Sequence, residues 1–280
     1  MNDALNIDLH THSTCSDGAL APGDLVAAAA AAGVEVLALT DHDTVAGLEI
    51  AAKHAVPLGL RLVPGVEISA AWRCQSIHVL GLWIDPADGG LRRALDSQAA
   101  RRYERMRRIC ARLSEMHLPG DALLSAVLAH PGLPSRTHLA AALVADGHVR
   151  SSQQAFRQFL GRGKAADIAA DWPALDAVVG WVRSAGGVAA LAHPARYALS
   201  AGTRRQLLAD FAASGGTALE VITGGNSPHT VEACAQLAVN HGLAGSVGSD
   251  FHDPNLSWNR LGRSLKLPAC VAPVWRQQGL

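Results

Sequence analysis

Short apolar runs that end in histidine or an acid recur along this chain, and they constrain its fold more than any other feature. The runs cover residues 6–10, 34–40, 61–68, 76–83, 187–192, 218–223 and 244–248, each with the length and composition of a buried β-strand. Stretches at 22–32, 44–54, 203–213 and 228–241 lie between them and read as helices. Pro22 stands where a first-turn proline is favoured, and Gly33 where a helix stops. Strands alternating with helices predict an α/β fold with a mostly parallel sheet. Seven strands suit an incomplete barrel better than an open sheet.

The region from about 94 to 166 breaks this rhythm. It holds no good strand and opens with an arginine-rich helix carrying Arg101, Arg102, Arg105, Arg107, Arg108 and Arg112. Segments 120–129, 138–145 and 152–160 read as further short helices, with loops at 131–134 and 161–164. The expected organisation is a barrel formed by 1–95 and 167–280, interrupted by an all-helical insertion at 96–166.

Lys plus Arg and Asp plus Glu both number 24, so the formal net charge is zero. That balance argues against a protein held to nucleic acid by a basic surface, and no DNA-binding surface is expected. Any phosphate recognition must therefore be local. Cys15, Cys74, Cys110, Cys234 and Cys270 are scattered and never spaced C-x-x-C, which fits a reducing compartment better than a disulfide framework. The opening residues MNDALNIDLH do not form a signal peptide, and the alanine runs are too short and interrupted to span a bilayer. The expectation is a cytoplasmic protein with no membrane partner.

The chemistry lies in where the histidines and acids fall. His10 and His12 close the first run, Asp17 follows, and His42 (flanked by Asp41 and Asp43) closes the second. Glu67 lies near the end of the third, His78 on the fourth, His193 after the fifth, and Asp250 with His252 after the last. Strand ends converge on one face in α/β barrels, so residues distant in sequence meet in one pocket. A lone H-x-H or a single strand histidine is commonly just a turn or a hydrogen-bonded core residue. Nine together are different, because burying them without a cation is costly. Imidazole plus carboxylate without thiolate favours Mn²⁺, Fe²⁺ or Zn²⁺, and manganese is the expected ion among them. Three such ions would leave a surplus of roughly +2 over the three carboxylates and one bridging hydroxide, which suits a phosphate ester.

The segments DLHTHSTCSDG, LTDHD, PGVEIS, IHVLG, LAHPARY and GSDFH resemble, in order and spacing, the motifs of the polymerase and histidinol phosphatase (PHP) superfamily. Outside the insertion the resemblance covers nearly the whole chain. The motif order and the helical insert look like the branch of 3′,5′-nucleotide bisphosphate phosphatases and 5′-to-3′ exoribonucleases that act on short 5′-phosphorylated RNA. The resemblance implies a distorted seven-stranded (β/α)7 barrel with a trinuclear metal site. By the same carry-over, a first metal takes His10, His12, Glu67 and Asp250. A second shares Glu67 and adds His78 and His193, and a third takes Asp17, His42 and His252. Many superfamily members have histidine where Asp17 stands, which makes the third site the most variable.

For substrate recognition the candidates are Arg102, Arg105, Ser135, Arg136, Lys164, Arg196 and His229, with His138 as a further contact. Arginine grips phosphate bidentately and lysine acts as a point charge. The opposing reading of the arginine-rich helix is a solvated face paired with Glu104 and Glu115. The expected mechanism is in-line attack by a metal-bridging hydroxide, with Asp43 moving a proton or supporting a ligand histidine. The expected substrate is a nucleotide bisphosphate or a short RNA. A histidinol-phosphate-type phosphatase shares the metal motifs but has no need of an insertion carrying Arg136 and Lys164. An amidohydrolase with a carboxylated lysine bridge is disfavoured, because Lys53, Lys164 and Lys266 fit no strand end. A catalytically silent metal- or RNA-binding module would be expected to have lost ligands.

Overall fold

The computed structural model describes residues 5–263 and 265–279. Seven strands form one sheet in chain order: β1 (Ile7–Asp8), β2 (Val36–Leu39), β3 (Arg61–Trp72), β4 (Gln75–Leu82), β5 (Val188–Leu191), β6 (Ala218–Thr223) and β7 (Ala244–Gly248). β1, β2 and β3 are parallel, as are β5, β6 and β7. Leu9 N donates to Val247 O at 2.9 Å and Asp250 N to His10 O at 2.9 Å, so β7 returns to β1 and the sheet curls into a nearly closed barrel.

β4 is the exception, running antiparallel to both neighbours. β3 passes the expected end at residue 68, continues to Trp72, and turns through Arg73 and Cys74 into β4. Hence Glu67 lies within its strand rather than at its end, and His78 faces the site from the first half of β4.

The helices are α1 (Pro22–Ala31), α2 (Leu48–Ala55), α3 (Gly89–Glu115), α4 (Gly120–Leu128), α5 (Arg136–Ala145), α6 (Ser152–Ala155), α7 (Leu175–Ser184), α8 (Ala201–Ala213) and α9 (Pro228–Asn240). A π-helical turn, Phe156–Leu160, continues α6. α2 starts later than expected, after a turn entered through Asp43 at φ 52°. α7 was not among the expected helices, although its buried Leu175, Val178, Val179 and Val182 follow helical spacing.

The main core packs the strands against α7, α8 and α9, burying Ile68, Leu80, Leu82, Val182, Leu207 and Phe211 among others. Each such side chain contributes about 1.5–3 kcal/mol over exposure. The segment between β4 and β5 has a core of its own, built from Met106, Ile109, Leu113, Leu123, Leu139 and Leu143. α3 joins the two. Leu91 and Leu95 near its start belong to the barrel core, and Met106 to Leu113 belong to the helical one. Its 27 residues span about 40 Å, which sets Gln98, Arg102 and Arg105 at the junction. Among the described residues no helix is long and apolar enough to cross a membrane.

Candidate metal centre

All nine expected side chains meet at the barrel face where β1, β2, β5 and β7 end. His42 forms a parallel bridge with Glu67, and the loop after β7 bridges back to the β1 exit through Thr11 and Phe251. Around the first group, His10 Nε2 lies 3.3 Å from Glu67 Oε2 and 3.3 Å from Asp250 Oδ1. His12 Nε2 lies 3.4 and 3.2 Å from the same two oxygens, and 3.1 Å from His10 Nε2. Ligands of a tetrahedral ion with bonds of about 2.0–2.2 Å sit roughly 3.3–3.6 Å apart, so these four atoms already frame a cation-sized space.

Glu67 is the hub. Its Oε1 lies 2.9 Å from both His78 Nδ1 and His193 Nε2, and its Oε2 lies 2.9 Å from His42 Nδ1. His252 Nε2 and His42 Nε2 stand 3.4 and 3.7 Å from Asp17 Oδ1. Three overlapping groups therefore offer converging donors: His10, His12 and Glu67; His42, Glu67 and His78; and His12, Asp17, His42 and His252. The expected division gives His12 and His42 one centre each. Here both stand between two.

Burial opposes ionisation of Glu67, Asp17 and Asp250, yet the surrounding imidazoles hold all three well below the usual carboxylate range. Burial, and then His252 and His42, push His12 down to about 3. Asp17 Oδ1 is buried without a hydrogen-bond partner, and His42 Nδ1 and Glu67 Oε2 face one another at 2.9 Å without making a hydrogen bond. Buried polar atoms left unpaired cost free energy, and a divalent cation satisfies both the lone pairs and the carboxylate charge. The donor set fits divalent metal.

Sequence reasoning missed the residues that brace this cluster. Glu220, fully buried on β6, accepts from His10 Nδ1 at 2.9 Å and from His193 N at 2.6 Å. The signal was present, an acid inside the apolar run ALEVIT, but β6 offers no ligand at its end and drew no attention. Asp41 accepts from Ser13 and Ser16 and so shapes the loop carrying Asp17. Asn259 Nδ2 donates to the Asp250 carbonyl at 2.8 Å, and His78 N donates to the Tyr197 hydroxyl at 2.9 Å. A Cβ on Gly248 would stand 2.3 Å from the His10 Cβ, so only glycine lets β7 pass this close. His193 and Asp250 hold φ of 29° and 54°, a left-handed backbone uncommon outside glycine.

A cleft beside the cluster is lined by Asp17, His42 and His78 on one wall, and by Arg102, Arg105, Ser135, Arg136, Phe156 and Trp172 on the other. Arg105 donates to the Ile168 carbonyl and Arg136 to that of Leu160. Among the described residues neither has a carboxylate within salt-bridge reach. Burial, then the nearby Arg136 and Arg102, lower Arg105 to about 10, and burial lowers Arg136 as well. Exposed pairs of the opposing reading also occur on α3, with Arg107 paired to Glu104 and Arg112 to Glu115.

Of the other expected residues, only Ser135 lines this cleft. Asp43 is fully buried, and its oxygens accept from Ser69 N, Gln98 Nε2 and Arg102 Nε at 2.8, 3.0 and 2.6 Å. That network holds its carboxyl below the ordinary range against burial, with Arg102 as the main cause, so it anchors Arg102 rather than standing open to a substrate. The Ser135 hydroxyl caps α5, accepting from Thr137 N and His138 N. Arg196 bonds the Asp250 carboxylate on the other side of the cluster. Lys164 and His229 are exposed and line none of this cleft.

Residues 8–132 match the PHP domain. The chain is 40% identical over 274 residues to the 3′,5′-nucleoside bisphosphate phosphatase of Chromobacterium violaceum, covering 97% of this chain and 96% of that one. It is 40% identical over 277 residues to the Escherichia coli 5′-3′ exoribonuclease Rnm, covering 98% and 94%. A solved Chromobacterium violaceum structure, described as an amidohydrolase with bound sulfate and no metal, superposes with a TM-score of 0.92 at 39% identity, covering 98% of this chain and 96% of that one. Full-length similarity of this order, together with the strand-end cluster, means that the chain belongs to the PHP family.

Proposed function

We propose that the protein is a metal-dependent phosphoesterase that removes the 3′-phosphate of 3′,5′-nucleotide bisphosphates and shortens 5′-phosphorylated RNA from its 5′ end. The observation that carries this reading is one cleft shared by Asp17, His42 and His78 with the guanidiniums of Arg102, Arg105 and Arg136. Arg102 is already paired with Asp43, but Arg105 and Arg136 stand part-buried beside it without a carboxylate partner among the described residues, which calls for an anion, and phosphate meets arginine bidentately.

The nine side chains would hold three divalent ions, manganese first among them: one at His10, His12, Glu67 and Asp250; one at Glu67, His78 and His193; and one at Asp17, His42 and His252. Bound ions supply Lewis acidity at the phosphoryl oxygens and lower the pKa of bound water. The chain's own residues do the rest. Arg105 and Arg136 grip the 5′-phosphate, and Asp43, through Arg102, fixes the clamp at a set distance from the cluster. Glu220 holds His10 in one tautomer and orientation. Water adds to the 3′-phosphorus, the P–O3′ bond breaks, and O3′ takes a proton.

The same bond breaks in both substrates, because a 3′,5′-bisphosphate is the RNA end without its next nucleoside. The residues 96–166 act as the substrate-recognition part on this reading. An amidohydrolase with a carboxylated lysine is disfavoured, since Lys53, Lys164 and Lys266 are all exposed. A histidinol-phosphate-type substrate leaves the arginine cleft without a role. Assaying a 3′,5′-bisphosphate nucleotide beside 5′-phosphorylated RNA oligomers with Mn²⁺ tests the proposal. Turnover of neither would overturn it.

A further inference from the structure

The insertion clamps one side of the substrate, and a second, unassigned aromatic stands on the opposite side of the cluster. Trp258 lies in the loop after β7, between the residues that follow Asp250 and the last segment of the chain. It is 41% exposed, whereas Trp172 in the arginine cleft is 8% exposed and lies close to Arg102 and Arg105. One tryptophan is used up supporting arginines, and the other keeps a large part of its surface open.

Trp258 is held in place from below. The Arg196 guanidinium carbon sits 5.1 Å from its ring centroid, while Arg196 also bonds the Asp250 carboxylate. The next residue, Asn259, is fully buried and donates to the Asp250 carbonyl. The loop after β6 closes against this pair. A Cβ on Gly224 would stand 2.1 Å from the Ser249 carbonyl and 3.0 Å from the Asn259 Cα, so a side chain there would push the loop off. Trp258 is thus tied, through Arg196 and Asn259, to Asp250 itself.

Its side of the barrel matters. Arg102 is anchored to Asp43 and Ser69, which follow β2 and lie on β3. Arg196, Gly224 and Trp258 follow β5, β6 and β7. The nine-residue cluster lies between the two halves. If the 5′-phosphate is seated among the insertion arginines and the scissile phosphorus at the cluster, the next nucleoside of an RNA hangs from that phosphorus on the far side. A mononucleotide bisphosphate has nothing there.

We propose that Trp258, supported by Arg196, is a stacking platform for the base on the 3′ side of the scissile phosphate, and so a determinant of activity on RNA over mononucleotides. The inference rests on the phosphoesterase reading above. An aromatic ring over a cation is the usual sequence-tolerant seat for a nucleobase.

The test compares wild type, Trp258→Ala and Trp258→Phe on a 5′-phosphorylated RNA trinucleotide and on adenosine 3′,5′-bisphosphate, both with Mn²⁺. In Trp258→Ala, kcat/KM on the RNA should fall about tenfold further than on the bisphosphate, the value of one base stacked on an aromatic ring. Trp258→Phe, which keeps a ring, should recover most of that loss. An equal loss on both substrates, or none on either, overturns the platform and leaves the phosphoesterase reading standing. A wild-type protein inactive on both substrates overturns that reading and the platform with it.

Discussion

The metal cluster and the arginine cleft share a wall but are built in opposite ways. The nine ligands are held by the barrel's own strand ends and the short loops beside them. Five are buried and Asp17, His42, His78 and His252 are half-buried, and several of their donor atoms face chiefly one another. The arginines come from α3 and α5, and each is tied by a hydrogen bond to the protein around it. On the proposed reading the cluster is completed by cations, whereas the cleft is a clamp already held in place for an anion. Chemistry and recognition are thus carried by parts that can be disturbed separately.

Variants that separate the two parts differ in size and in kind. Glu67→Ala removes the carboxylate that reaches His10, His12, His42, His78 and His193, and should cost about a thousandfold in kcat together with bound metal after dialysis. Similar turnover and metal content in a folded variant would break the cluster assignment. Glu220→Gln keeps the shape but weakens the brace on His10. It should cost about 10- to 100-fold in metal affinity or activity, read by metal titration.

On the other wall, Arg136→Ala should raise KM for a 3′,5′-bisphosphate by about tenfold to a hundredfold, while a generic phosphate ester such as p-nitrophenyl phosphate changes little. A drop shared by both substrates would mean that the arginine supports the fold rather than the phosphate.

The smallest effect lies at His138, which is buried between the two parts with both ring nitrogens unpartnered. Burial lowers its pKa from 6.5 to about 4, with Asp17 resisting. From pH 6.5 down to about 4 the unfolded chain binds a proton that the folded chain refuses, so folding stability falls with pH in that window and is unaffected above it. His138→Leu should make the fall in melting temperature across this window shallower. An unchanged slope would remove His138 from the list of groups that set acid stability.

The same contrast explains what could be read from the sequence. Ligands such as His10, His42 and Asp250 sit next to strand ends, and strand ends have one destination in a barrel, so the list needs no tertiary detail. Glu67 and His78 were found for the same reason, but their place inside a hairpin was not, because the reversal of β4 depends on a turn at Arg73 and Cys74 that has no glycine or proline. Glu220 escaped notice because it touches a ligand histidine rather than lying at a strand end of its own. Arg102 and Arg107 are indistinguishable in sequence. Which one enters the cleft depends on how α3 rotates against Trp172 and Ser69, and that is set by packing of the helical core. Lys164 was placed by its glycine-flanked loop, yet that loop stays exposed.

The central claim is that the cluster and the clamp act on one substrate, and the most direct measurement is the contribution of the 5′-phosphate to turnover. Comparing kcat/KM for adenosine 3′,5′-bisphosphate and adenosine 3′-monophosphate, in Mn²⁺-loaded and chelator-treated protein, isolates it. The expected result is a preference of about tenfold or more for the bisphosphate, loss of both activities on chelation with return on adding Mn²⁺, and collapse of the preference in Arg136→Ala. Equal rates on the two nucleotides, or turnover that survives chelation, would contradict it.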